Sequence, residues 1–187
     1  TIDAEITNST SVMLTTVAGN KQSIGYVSLG SLSDDVKAVK VDGVEASVDD
    51  IKNGSYSVSR PFLVAYKDGQ LSELAQDYLK YILSADGQAI ISENGYISVS
   101  DSAEAYTASG LSGKLVLAGS TSVSPVMEKL ADAYKALNPD VTIEIQQTGS
   151  GAGITSAIEG VCDFGMSSRE LKESEAAELK AEQIALD

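Results

Sequence analysis

From residue 114 to residue 170 the chain passes three times through the same unit: a short apolar strand, a loop of Gly, Ser and Thr, and a helix. The strands are residues 114–118, 141–145 and 163–166. The loops are residues 119–124, 148–153 and 166–169. Pro125 suits a first helical turn, and Val126, Met127, Leu130, Ala131, Tyr134 and Leu137 then share one helix face until Asn138-Pro139 stops it. The second helix turns Ile154, Ala157 and Ile158 inward, and the third is expected as a charged helix over 170–180. A strand–loop–helix unit in series calls for an α/β fold with a mainly parallel sheet flanked by helices.

The preceding half is less regular. The spacing predicts a helix over 8–18 ended by Gly19-Asn20, strands over 23–29 and 36–41, a two-residue hairpin turn at Asp42-Gly43, and a short helix over 49–54. A buried strand over 62–66 follows, then a turn at Asp68-Gly69. Leu71, Leu74, Ala75, Tyr78 and Ile82 lie at helical spacing up to about residue 84, and a second helix over 86–94 stops at Gly95. Residues 98–112 are small and polar and read as a linker.

Composition excludes several function classes. The net charge is −14, which disfavours nucleic acid and anionic membrane surfaces, since both reward Lys and Arg. There is no histidine and a single cysteine, Cys162, expected as a small buried residue. Histidine-based triads, histidine metal sites, ordinary structural zinc sites and intrachain disulfides are all unavailable. No phosphate-cradling Gly-x-x-x-x-Gly-Lys-[Ser/Thr] string occurs, and Ser150 has no histidine base. The carboxylates are scattered along helices. No catalytic residues, metal or cofactor are therefore expected, and the chain does not read as an enzyme. No apolar run approaches the ~18 residues needed to span a bilayer. No leader is visible at Thr1, so any targeting segment is expected to have been removed or to lie upstream.

The three Gly/Ser/Thr loops all follow a strand and precede a helix. In an open parallel sheet such loops gather at the carboxyl edge, where ligands bind. Each helix start offers unpaired N–H groups and the positive end of a dipole. Hydroxyls of Thr121, Ser122, Ser150 and Ser168 are candidate donors to an oxyanion, and Gly149, Gly151 and Gly153 would let backbone approach it. Neutral donors are what an acidic chain needs to hold an anion against its own field. Taken singly, each loop also reads as ordinary helix capping. Arg169 either clamps the anion or pairs with a helix carboxylate.

At these loops the chain resembles a known family. The strings AGSTSVSP (118–125), TGSGAGI (148–154) and DFGMSSREL (163–171) are similar to the N-terminal part of phosphate-binding proteins of the bacterial phosphate-specific ABC importer, Gram-positive type. NSTSVMLTTVAGNKQSIGYVSLGSL (8–32), SVSRPFLVAYKDG (57–69) and LSADGQAIISENGYIS (83–98) resemble its C-terminal part. The resemblance implies a type II periplasmic-binding-protein fold with phosphate in a cleft. It implies contacts from Thr121 and Ser122, from Ser150 with neighbours such as Gly151, and from Ser168. It also implies an importer permease as partner of the full-length protein, and a lipoprotein-type, extracellular, cell-surface location.

Two departures stand out. Many relatives carry Asp where Ser168 stands, and that Asp accepts a proton-bearing phosphate hydroxyl. The order is also inverted: the family's end precedes its beginning, and the part between them, with its Gly-Ser-Gly-Thr-Arg loop, is absent. A window cut from a tandem or permuted receptor and an engineered or processed piece both fit. Residues 58–97 and 113–187 are expected to complete a phosphate-binding lobe, and residues 1–57 to be a partial second-lobe segment. Those apolar strands need a partner, so a homodimer or swapped assembly, acting as a self-association module without effective ligand binding, is the alternative expectation.

Overall fold

A computed structural model describes residues 4–187; residues 1–3, the start of the expected second-lobe segment, lie outside the described residues. The elements are α1 (Thr10–Gly19), a 3-10 turn (Leu29–Ser31), α2 (Val48–Lys52), β1 (Pro61–Tyr66), α3 (Glu73–Leu83), α4 (Ala85–Glu93), β2 (Ile97–Ser98), β3 (Gly113–Gly119), α5 (Ser124–Leu137), β4 (Val141–Gln147), α6 (Ser150–Glu159), β5 (Phe164–Ser167), α7 (Glu173–Ala176) and β6 (Lys180–Leu186).

The six strands form one sheet in the order β2-β6-β1-β5-β3-β4. The strands β3, β4 and β5 are parallel, with Leu117 opposite Ile145 on one side and Phe164 on the other. They are joined by α5 and α6 as crossover helices, as the repeated unit requires. The sheet is mixed rather than mainly parallel, because β1 inserts between β5 and β6 antiparallel to both, and β2 runs antiparallel to β6. The strand β1 comes from the earlier half of the chain and is not part of the strand–loop–helix series, so no crossover dictates its direction.

Apolar side chains fill both sheet faces. On one face Phe62, Val64, Leu115, Leu117, Phe164 and Ile184 pack under α3, α4 and α5 through Tyr78, Ile82, Ile91, Leu130 and Tyr134. On the other, Ala65 and Leu179 meet Ile154 and Ala157 of α6. Ser72 and Ser84 cap α3 and α4 by accepting the N–H groups of Ala75 and Gly87.

Two elements differ from expectation in the C-terminal part. The helix expected over 170–180 is a single turn, α7, and the chain then forms β6. Lys, Ala, Glu and Gln favour a helix intrinsically, but extending along β1 buries Leu179, Ile184 and Ala185, and packing outweighs a propensity worth tenths of a kcal/mol per residue.

The early segment differs more. Residues 23–29 and 36–41 are not strands. Their alternation has no ladder partner among the described residues, and an unpaired extended chain is not a strand. The Asp42-Gly43 turn does form: Val41 and Val44 exchange backbone bonds at 3.0 and 2.9 Å, and both turn residues have positive φ (51° and 83°) as a type I′ turn demands. In the span 4–60 only Ser28 and Ile51 are buried.

Residues 99–112 carry no helix or strand, yet they are strapped to the helices. Glu104 O accepts the Ala85 N–H, Asp86 accepts the Tyr106 N–H, and Asn138 accepts the Gly110 N–H.

Candidate anion-binding site

Backbone bonds tie the three loops together where β3 and β5 end. Gly119 O accepts the N–H groups of Thr148 (2.9 Å) and Gly149 (2.7 Å), and the Ser120 N–H donates to Met166 O at 2.9 Å. The loops are therefore one body. Gly153 explains how α6 comes so close: a Cβ there would run into Ala118 O and Gly119 Cα. Its lack of a Cβ serves helix–strand packing, a role the residue pattern did not announce.

Each loop then presents a hydroxyl. The Ser150 and Ser168 hydroxyls are 3.3 Å apart, and Ser150 Oγ accepts the Ser168 N–H at 3.2 Å. In the first loop the buried Ser120 closes the turn ahead of α5, its Oγ accepting the N–H groups of Ser122 and Val123. That leaves the Ser122 side chain free of capping duty. The start of α6 is different: Gly149, at φ 88°, caps it without a side-chain bond, so the first-turn N–H groups have no side-chain acceptor. Gly151 lies in that turn with open space around it.

Ser122, Ser150, Ser168 and Arg169 are among the residues lining a cavity of about 650 Å³. Most of the rest of its wall comes from the early segment and is largely apolar, including Met13, Val17, Ile24, Val39 and Ile51, with Phe62 and Asp187 completing it. Thr121 and Gly151 are not on this wall. The Thr121 hydroxyl instead donates to Asn8 O at 2.8 Å and lies 3.1 Å from the Thr10 hydroxyl, which is 3.3 Å from Ser122 Oγ. The start of α1 thus docks on the first loop. Sequence reasoning missed Asn8 and Thr10 here, although the run Asn8-Ser9-Thr10 ahead of a helix is a recognisable cap signal, and Ser9 does accept the Val12 N–H.

Of the two roles left open for Arg169, the structure forms the ion pair. Its guanidinium meets Glu175 through two parallel bonds, 2.8 and 2.9 Å, and also donates to Glu170 O. The guanidinium holds the Glu175 carboxyl down to about 2, and the same pair pushes Arg169 further up. Cys162 is half-buried rather than fully buried, and burial pushes its thiol up to about 11. Among the described residues no group of His, Cys, Asp or Glu is arranged to hold a metal, and no helix is long and apolar enough to cross a membrane.

A PBP superfamily domain matches residues 96–186. The phosphate-binding protein PstS 2 of Streptococcus agalactiae is 55% identical over 185 residues, covering 98% of this chain and 63% of that protein. Its Streptococcus pneumoniae counterpart is 48% identical over 184 residues, with the same coverage. The crystal structure of a phosphate-binding protein of a phosphate ABC transporter from S. pneumoniae superimposes with a TM-score of 0.82 at 48% identity, over 100% of this chain and 72% of that one. The chain belongs to the phosphate-binding-protein family of phosphate ABC transporters.

Within that family it spans less than two thirds of the length of the curated relatives it matches. One alignment takes in 98% of the chain, so the segment order that looked inverted is the order of these streptococcal family members. No rearrangement particular to this chain is needed to explain it. The loop that carries Ser122, the start of α6 at Ser150 and the loop after β5 that carries Ser168 fall inside the 96–186 match to the superfamily domain.

Proposed function

We propose that this chain supplies the anion-holding lobe of an extracellular phosphate receptor that delivers phosphate to an ABC importer permease, without catalysing a reaction. Residues 58–97 and 113–187 form the lobe, residues 99–112 strap it, and residues 1–57 contribute part of the opposite lobe. The observation that carries this reading is the bonding of three strand-to-helix loops into one body, with Ser122, Ser150 and Ser168 lining one cavity and the start of α6 left without a side-chain cap. Gly151 contributes backbone N–H, and Thr121 acts by fixing the first loop against α1.

All of these donors are neutral. In a chain of net charge −14 an oxyanion is then held by short-range hydrogen bonds and helix-start dipoles, not by bulk attraction. Ser168 both donates and accepts, so it tolerates a fully ionised oxyanion as well as protonated phosphate. Isothermal calorimetry with inorganic phosphate and with sulfate tests this. Binding of phosphate, with sulfate within about tenfold, is expected. Silence toward both anions overturns the assignment.

A further inference from the structure

Arg169 sits on the cavity wall beside Ser168, yet its charge is already spent. Glu175 takes it in a two-bond fork, the geometry in which guanidinium and carboxylate bind most strongly. Glu175 is itself fixed, because its Oε2 accepts the Lys172 N–H at 2.8 Å at the start of α7. Glu170 O occupies a further guanidinium N–H. Both side chains are mostly shielded from water, 27% and 14% exposed, so solvent does not offer an easy replacement for either partner. The pair joins α7 to the loop that carries Ser168, where Ser167 Oγ bonds both the N–H and the carbonyl of Arg169.

Resting on the anion-site reading above, we propose that Glu175 is the residue that sets the charge character of that site. It holds the Arg169 guanidinium in a closed pair on the rim, so the groups facing the anion are neutral donors. Without Glu175 the guanidinium becomes an uncompensated positive charge on the same wall as Ser122, Ser150 and Ser168. The site would then bind oxyanions by charge, with less regard for their protonation state.

The test is Glu175→Gln, which keeps the side chain's shape and its acceptor for the Lys172 N–H. Calorimetry with inorganic phosphate and with sulfate is expected to show both anions bound about tenfold more tightly than by the parent, as one uncompensated charge near a protein surface allows. The gain shrinks with added salt and disappears in the double variant R169Q/E175Q. Unchanged or weaker binding by E175Q overturns the proposal, and so does a gain that survives loss of Arg169. If the parent ignores both anions but E175Q binds them, the phosphate assignment fails and the role of Glu175 stands. If the parent binds and E175Q gains nothing, the reverse holds, and silence from both proteins overturns both. Should E175Q not fold, the Arg169 guanidinium resonances of the parent decide. They stay in place as phosphate saturates the protein if the pair remains closed, and their displacement overturns the proposal.

Discussion

The Ser150 oxygen accepts the N–H of Ser168 at 3.2 Å while its hydroxyl lies 3.3 Å from the Ser168 hydroxyl. Two loops separated by a helix and a strand are thus joined at the point where each presents its donor. Ser150→Ala removes one donor and leaves the Ser168 N–H without its acceptor. Losing a hydrogen bond of this kind costs about 1–3 kcal/mol when the remaining group stays buried. Phosphate affinity is expected to fall at least about tenfold in calorimetry, with the urea midpoint nearly unchanged, because both residues are only half-buried.

Two glycines of α6 separate packing from freedom. Gly153→Ala places a Cβ against Ala118 O and Gly119 Cα, backbone atoms that cannot rotate away. Forced overpacking of this kind costs about 1–3 kcal/mol. It also pushes α6 off Gly119, the residue that binds the second loop, so phosphate affinity falls together with stability. Gly151→Ala meets nothing within 4 Å and gains helix propensity, up to about 1 kcal/mol. Urea unfolding of the two variants should therefore move in opposite directions.

The contrast between these glycines shows what could be read from the residues. The strand–loop–helix series and the helices around Tyr78 and Tyr134 were legible because each is a local pattern with a local cause. What was not legible depends on partners distant in sequence. Residues 170–180 look helical, yet only one turn forms before the chain runs out along β1 from Lys180. Residues 23–29 alternate like a strand but find no ladder. Thr121 and Ser122 are adjacent and chemically alike, yet only the approach of Asn8 and Thr10 turns one toward α1 and leaves the other on the cavity wall. The apolar body of the cavity likewise arises from the early segment folding over a polar edge, which no single stretch announces.

Asp77 is the anchor of the strap. Its Oδ2 accepts hydroxyls from Tyr106, Tyr134 and Ser109 at 2.5, 2.7 and 2.8 Å. Burial alone would raise its pKa, but these three bonds outweigh burial and hold it below the ordinary carboxylate value. A depressed carboxylate contributes stability that is present above the unfolded pKa, ~3.9, and is lost as pH falls through the folded value. Asp77→Ala should therefore destabilise by about 1–3 kcal/mol, equally from pH 8 to pH 5. The gap to the parent narrows only in strong acid. Amide exchange across residues 99–112 should quicken in the variant, while the sheet stays protected.

Asp187 carries the opposite sign. Its carboxylate lies on the cavity wall and accepts the Leu29 N–H at 2.6 Å, while its backbone exchanges bonds with Arg60. It thus ties the early segment to the end of β6. Burial pushes the carboxyl up to about 6, against the smaller opposing effect of the Leu29 bond. With the unfolded value at ~3.9, the folded protein binds the extra proton between roughly pH 4 and pH 6, so this group makes stability decline as pH rises through that window. Above it, the buried charge is a standing penalty. Asp187→Asn keeps an acceptor for Leu29 and removes the charge. Its urea midpoint should exceed the parent's at pH 7.5 and match it at about pH 3, below the unfolded value, where the carboxyl is neutral in both states. Equal midpoints at both pH values would mean that the Asp187 charge is not buried in solution, and that the early segment does not close over it there.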